Sequence, residues 1–221
     1  MDVTQRRELA RRALDGYVSG PGATTRATDR AVSGIGDAAT VVLVEGISDQ
    51  IAVETAASGQ GRDLAADRVR VVPIGGAHAI RRFLVSLGDP GAGLRLVGLC
   101  DLGEEDVFRR GLAAVNGVPT LTRAQMEEQG FFVCVDDLED ELVRAVGTSA
   151  VEALFDAQGD LASYRSLQRQ PAWRGRDPQA QMRRFLGSGS RRKLRYARLL
   201  VDAALVRDAL PRPLASLLAA V

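Results

Sequence analysis

The chain has 221 residues, 46% of them hydrophobic and 26% charged, an ordinary globular composition long enough for one good core and a smaller appendage. No apolar run approaches the roughly 18–20 residues of a membrane span, and the charged start "MDVTQRRELARRALDGY" lacks the apolar stretch of a signal peptide, so no membrane partner is expected and the cytoplasm is the default compartment. Net charge is only +1, yet residues 100–159 hold thirteen acids against four arginines, while residues 160–198 hold eleven basic residues against Asp160 and Asp177. An acidic site facing a basic arm suits metal ions and a polyanion; solvated helix faces would give the same counts.

In chain order, Ala10, Ala13, Leu14 and Tyr17 recur at helical spacing and predict an amphipathic helix over 3–18. A Gly-, Ser- and Thr-rich loop follows, around a short helix at 26–33. Then a rhythm sets in. "TVVLVEG", "RVRVVPIGG", "LRLVGLCD" and "GFFVCVDD" read as strands. They alternate with the helical "SDQIAVETAAS", "AHAIRRFLVSLG", "EEDVFRRGLAAV" and "LEDELVRAVG". Strands that alternate with helices imply an α/β fold: a mostly parallel four-stranded sheet with helices on both faces. From residue 148 onward "SAVEALFDAQG", "LASYRSLQ", "PQAQMRRFLG", "SRRKLRYARLLVDAALV" and "PLASLLAAV" are all helical in character, a C-terminal helical extension. The expected organisation is an N-terminal helix and loop (1–37), an α/β core (38–147) and a basic helical subdomain packing on it (148–221). Cys100 and Cys134 sit in apolar runs without metal-ligand spacing and read as buried reduced thiols.

In open α/β sheets ligands gather outside the carboxyl ends of the strands. This chain places Glu45 and Gly46 after its first strand and Gly75 and Gly76 after its second. Asp101 follows the third, with Glu104 and Glu105 close behind, and Asp136, Asp137 and Glu139 follow the fourth. So many negative charges on one edge are unfavourable unless cations neutralise them. Hard oxygen ligands of this kind suit Mg²⁺ or Mn²⁺, and two ions could share the cluster. Other roles compete at single positions. Asp49 beside Ser48 could cap a helix, and Glu104, Glu105 and Asp106 could be first-turn acids favoured by the helix dipole. Glu45 has no capping role to play, because it precedes the turn glycine.

Other chemistries find little support. "PIGGAHAI" lacks the spacing of a dinucleotide fingerprint, and the lone lysine follows Arg192 rather than a phosphate-loop glycine. His78 is the sole histidine, which excludes a multi-histidine zinc site. Neither cysteine has a histidine placed by a local motif. Of 29 basic residues only Lys193 is a lysine, which marks a place where a compact ammonium is wanted over a guanidinium, or chance.

"VEGISD" followed by the strand-end "CDLGEED" resembles the TOPRIM domain of topoisomerases, primases and several nucleases. The resemblance is closest to the TOPRIM half of the OLD (overcoming lysogenisation defect) nucleases. It extends to "VVPIGGAHAI", "VDDLEDELVRAVG" and "SRRKLRYARLL", roughly residues 38–206. It implies a TOPRIM, Rossmann-like fold and a metal-dependent DNA endonuclease using two ions. Glu45 would be a metal ligand or general acid/base, and Asp49 would help hold the same ion. Asp101 matches the first acid of the family's Asp-x-Asp, but Asp-Leu-Gly stands here, so the second acid shifts to Glu104 or Glu105. Asp137 and Glu139 match the later acidic motif, and Lys193 a late lysine that stabilises the transition state. Arg183, Arg184, Arg191, Arg192, Arg195 and Arg198 could contact flanking phosphates. OLD proteins carry an ATPase ahead of this domain and this chain shows no phosphate loop, so a stand-alone form, or one beside a separate ATPase, is expected. The alternatives are an RNA-processing TOPRIM nuclease and a non-catalytic nucleic-acid-binding module that docks on such an ATPase.

Overall fold

The computed structural model describes Leu14, residues 16–88 and residues 93–221. Most of the helix expected over 3–18 lies outside the described residues. The first described helix, α1 (Ala23–Ser33), lies beside the sheet and donates from Thr28 Oγ1 to the Pro73 carbonyl. All four predicted strands form: β1 (Thr40–Val44), β2 (Val69–Pro73), β3 (Arg95–Asp101) and β4 (Phe131–Cys134). They make one parallel sheet in the order β2-β1-β3-β4.

β1 is buried along its whole length because both faces of the sheet are covered. Its side chains alternate. Val42 and Val44 enter one core with Ala52, Val53, Ala56 and Ala57 of α2 (Ile47–Gly59). Val41 and Leu43 enter the other, with Phe83 and Leu84 of α3 (Ile80–Leu87) and Phe108 and Leu112 of α4 (Glu105–Val115). Gly98 of β3 is required at its place. A Cβ there would lie 2.7 Å from the Leu43 carbonyl oxygen and 2.8 Å from the Phe131 ring.

The chain leaves β1 toward β2 and then crosses back over β1 to reach β3. The carboxyl ends of β1 and β3 therefore sit side by side where successive connections diverge, the switch point at which such sheets bind ligands.

The short helix α5 (Arg123–Glu128) was not expected. Its start is a capping box in which Thr122 Oγ1 accepts from the Gln125 N–H and Gln125 Oε1 accepts from the Thr122 N–H. Beyond β4 comes α6 (Leu138–Val146), then α7 (Thr148–Ala157), α8 (Leu161–Arg169), α9 (Pro178–Leu186), α10 (Ser190–Val206) and α11 (Arg212–Ala219). These helices join the core on the α2 face of the sheet. Phe155 of α7 is the centre of their packing, with ring centroids 5.0 Å from both Tyr164 and Phe185 and 5.2 Å from Tyr196. Among the described residues no helix is long and apolar enough to cross a membrane.

Phe155 touches rings from three other helices at full burial, so truncation leaves a cavity with rigid walls. Phe155→Ala is expected to lower unfolding stability by about 3–5 kcal/mol in urea titrations. Val206→Ser, at a side chain 86% exposed, is expected to stay within about 0.5 kcal/mol of the parent.

Candidate active site

Glu45 leaves β1 at the switch point and is fixed from both ends. Its carbonyl accepts from the Gly75 and Gly76 N–H groups at 3.1 and 3.0 Å. Those two residues have φ of 82° and 106°, so the loop after β2 needs glycine there. Its side-chain Oε1 accepts from the Asp101 N–H at 3.0 Å, tying the ends of β1 and β3 together. Gly46, by contrast, is extended (φ −146°) and needs no glycine for its conformation. Helix α2 starts immediately after it, and Asp49 Oδ2 accepts the Gly46 N–H at 2.9 Å. Asp49 thus caps α2 while standing buried beside the cluster.

The carboxylates are crowded. Burial raises the Glu45 pKa to about 7, with Asp49 and Glu104 adding to the rise against its bond to the Asp101 N–H. Asp101 is pushed up to about 8, first by burial and then by Asp49, Glu45, Glu139 and Asp137. Glu139, in the first turn of α6, is raised to about 7 by burial, with Lys193 pulling the other way and Asp49 and Asp137 adding to the rise. Asp49 is also raised, again chiefly by burial. One ammonium answers these charges. Lys193, from the first turn of α10, places Nζ 3.3 Å from Glu139 Oε1. Burial works against its charge, yet Glu139, Asp49 and Asp101 prevail and raise its pKa.

The two candidates for the shifted second acid part company. Glu104 lies at the N-terminus of α4 near Glu45, with no hydrogen bond or ion pair to its carboxylate among the described residues. Glu105 is buried and held by Arg123, whose Nε lies 3.1 Å from Oε2 and whose Nη2 also binds it, with Arg109 Nε 3.7 Å from Oε1. Asp137 caps α6 by accepting the Asp140 N–H at 2.8 Å and receives Arg183 on its other oxygen. As they stand, no three acids among the described residues are close enough together to hold one cation.

The candidate phosphate-contacting arginines also divide. Arg192 stacks over the Phe185 ring at 4.0 Å and donates to Ser188 Oγ, and Arg195 pairs with Asp160 beside Tyr196. Arg198 lies 3.9 Å from Asp202, and Arg183 is on Asp137. Arg184 and Arg191 are exposed. Sequence reasoning missed the pairing partners. Arg109 was legible as an i,i+4 partner of Glu105, but Arg123 becomes one only through the fold.

Comparison with known proteins places the fold. The profile of the family described as "Overcoming lysogenization defect protein-like, TOPRIM domain" matches residues 38–102, the span from the start of β1 to just past β3. The C-terminal region of the Burkholderia pseudomallei OLD protein superposes with a TM-score of 0.60 at 17% identity, covering 82% of this chain and 96% of that one. The corresponding region of the Xanthomonas campestris pv. campestris OLD protein gives 0.59 at 21% identity, covering 82% and 93%. No curated protein matches the sequence. Residues 38–102 thus match the OLD-like TOPRIM domain model, and most of the chain shares the fold of the C-terminal regions of OLD proteins.

Proposed function

We propose that the chain is a divalent-cation-dependent endonuclease acting on DNA phosphodiester bonds. The observation that carries the reading is the crowding of Glu45, Asp49, Asp101 and Glu139 at the switch point against the one ammonium of Lys193. TOPRIM domains are associated with cleavage of nucleic acids and with divalent metals, which agrees with it. The donor set fits Mg²⁺ or Mn²⁺: hard oxygens, short of positive charge, with no hydrogen bond or ion pair to the Asp101 side chain among the described residues. Glu45, Asp49, Asp101 and Glu104 would serve one ion, with Glu139 and Asp137 toward a second. When bound, such ions polarise an attacking water and neutralise the leaving oxygen.

The protein's own groups do the rest. Glu45 is held by Oε1 on the Asp101 N–H, which leaves Oε2 to face the ion. The Lys193 ammonium stands against Glu139, ready to offset charge that develops on the phosphoryl oxygens. Arg184 and Arg191 are exposed at the end of α9 and the start of α10, and on this reading they would grip flanking phosphates without reading sequence. The neighbours in structure are C-terminal regions of longer proteins, which suits a module that works beside an ATPase.

Purified protein is expected to nick supercoiled plasmid with Mg²⁺ or Mn²⁺. Glu45→Gln should lower the rate by roughly 10²–10³-fold. Lys193→Arg should abolish turnover while largely sparing DNA binding in a gel-shift assay, because a fork cannot replace a compact charge. An absence of nicking with either ion sinks the reading. Faster digestion of structured RNA in parallel reactions reassigns the substrate.

The raised carboxyl pKa values also set a pH dependence. Groups that bind protons more tightly folded than unfolded stabilise the fold at low pH. That contribution is lost as pH rises through about 7 for Glu45 and Glu139 and about 8 for Asp101. With chelator present, Tm is expected to fall from about pH 4, the ordinary carboxyl range, to about pH 8, where the last of these groups has ionised in the fold. Asp101→Asn should melt higher than the parent at pH 8.5, by about 2–4 °C per kcal/mol recovered, with a gain that shrinks steadily as pH falls toward about 4. Mn²⁺ should raise Tm more at pH 8 than at pH 6. A flat profile in the parent protein refutes the account of the cluster.

A further inference from the structure

Both oxygens of Asp137 are engaged. Oδ1 accepts the Asp140 N–H at 2.8 Å as the cap of α6, and Oδ2 accepts from Arg183 Nε at 2.5 Å. Arg183 Nη1 also lies 3.6 Å from Asp136 Oδ1, on a residue held in the left-handed region at φ 63°. One turn earlier on α9, Gln179 donates to Asp140 Oδ1 at 2.8 Å. One face of α9 thus closes over the first turn of α6. The Arg183 side chain is nonetheless 41% exposed, so its guanidinium has an open path to solvent. Asp137 is also near enough to the cluster to raise the proton affinity of Asp101, Asp49 and Glu139. It stands at the edge of the site with its outward oxygen turned to an internal cation.

We infer that Arg183 is a positioning residue that holds Asp137 in reserve: its guanidinium occupies the oxygen a second divalent cation would take, and a phosphodiester draws it away. The inference rests on the nuclease reading. A guanidinium and a metal ion compete for the same carboxylate oxygen, so each weakens the other's hold on Asp137. A phosphate offers the same fork two oxygens and matches its geometry as well as a carboxylate does. Transfer of Arg183 from Asp137 to phosphate frees the acid when the substrate arrives. Cation and polyanion binding are then positively coupled, and by linkage the coupling is equal in both directions.

The test is calorimetric titration of Mn²⁺ into the full chain, alone and with a duplex oligonucleotide carrying phosphorothioate linkages throughout. Arg183→Gln is expected to bind Mn²⁺ about tenfold tighter than the parent without duplex, within the range of such couplings. The duplex should tighten Mn²⁺ binding to the parent by a larger factor than binding to Arg183→Gln, because only the parent has a latch to release. In the titration without duplex, where no phosphate is present to contact, Arg184→Gln removes the same charge from the neighbouring exposed position and should bind Mn²⁺ as the parent does, which separates the latch from a general field effect. Arg183→Lys keeps the charge without the fork and should fall between parent and Arg183→Gln; it carries the comparison if Arg183→Gln does not fold. Mn²⁺ binding by Arg183→Gln but not by the parent also supports the latch. If the parent binds Mn²⁺ and the Arg183 variants match it or match Arg184→Gln, the latch is refuted and the nuclease reading stands. If no protein binds Mn²⁺, both fall.

Discussion

Carboxylates at the carboxyl end of a parallel sheet are the constraint on which the rest of this structure turns. Parallel strands all deliver their last residues to one edge, and the order β2-β1-β3-β4 puts the ends of β1 and β3 next to each other. Glu45 and Asp101 therefore cannot avoid one another. The bond from the Asp101 N–H to Glu45 Oε1 exploits that adjacency, and Asp49 and Glu139 complete the crowd from two helix starts. The N-terminal dipoles of α2 and α6 favour the negative charge of those two acids. Burial and mutual repulsion oppose it more strongly, as the raised proton affinities record. A fold keeps such a cluster against its own stability when the charge deficit is used.

Positive charge reaches this edge from far along the chain. Lys193 of α10 meets Glu139, and Gln179 and Arg183 of α9 meet Asp140 and Asp137, so two C-terminal helices grip the first turn of α6. They are held in place by the aromatic packing of Phe155, Tyr164, Phe185 and Tyr196 and by the shared core with α2. The helical extension is thus part of the site's construction. Its basic residues divide into three uses. Arg192 and Arg195 are spent inside the extension, on Phe185 and Asp160. Lys193 and Arg183 face the acids, and Arg184 and Arg191 face solvent.

Much of this was legible in the sequence, for reasons that can be named. The strands were readable because a strand covered on both faces has to be apolar at every position, as "VVLV" is. The strand-end acids were readable because polar residues there interrupt that run. α10 was readable residue for residue, from Ser190 to Val206. The short α5 was overlooked because six residues carry too little periodicity, and only its Thr122–Gln125 cap announced it. Charge pairing was the least legible part. Glu104 and Glu105 are equivalent in the sequence, yet the roughly 100° between consecutive helical residues sends Glu105 toward Arg123 and leaves Glu104 near Glu45. Which of six arginines faces outward depends on packing that no local pattern encodes.

Asp49 shows how a residue can satisfy two readings at once. As the third residue of α2 it accepts the Gly46 N–H through Oδ2, the reciprocal half of a capping box. That bond also fixes the backbone immediately after Glu45, so the cap helps to aim the acid at the tip of β1. One oxygen is committed to this duty, and at most the other would be offered to a cation. Glu45 is in the same position, with Oε1 given to the Asp101 N–H. Asp101 has neither obligation: its backbone orients Glu45 while its side chain makes no hydrogen bond or ion pair among the described residues. Its carboxyl pKa, at about 8, stands above those of Glu45 and Glu139, at about 7. A crowded carboxylate with no internal tie has more to gain from a cation than one already bonded. Asp101 is for that reason the anchor of the proposed site, with Glu45 and Asp49 held in place around it.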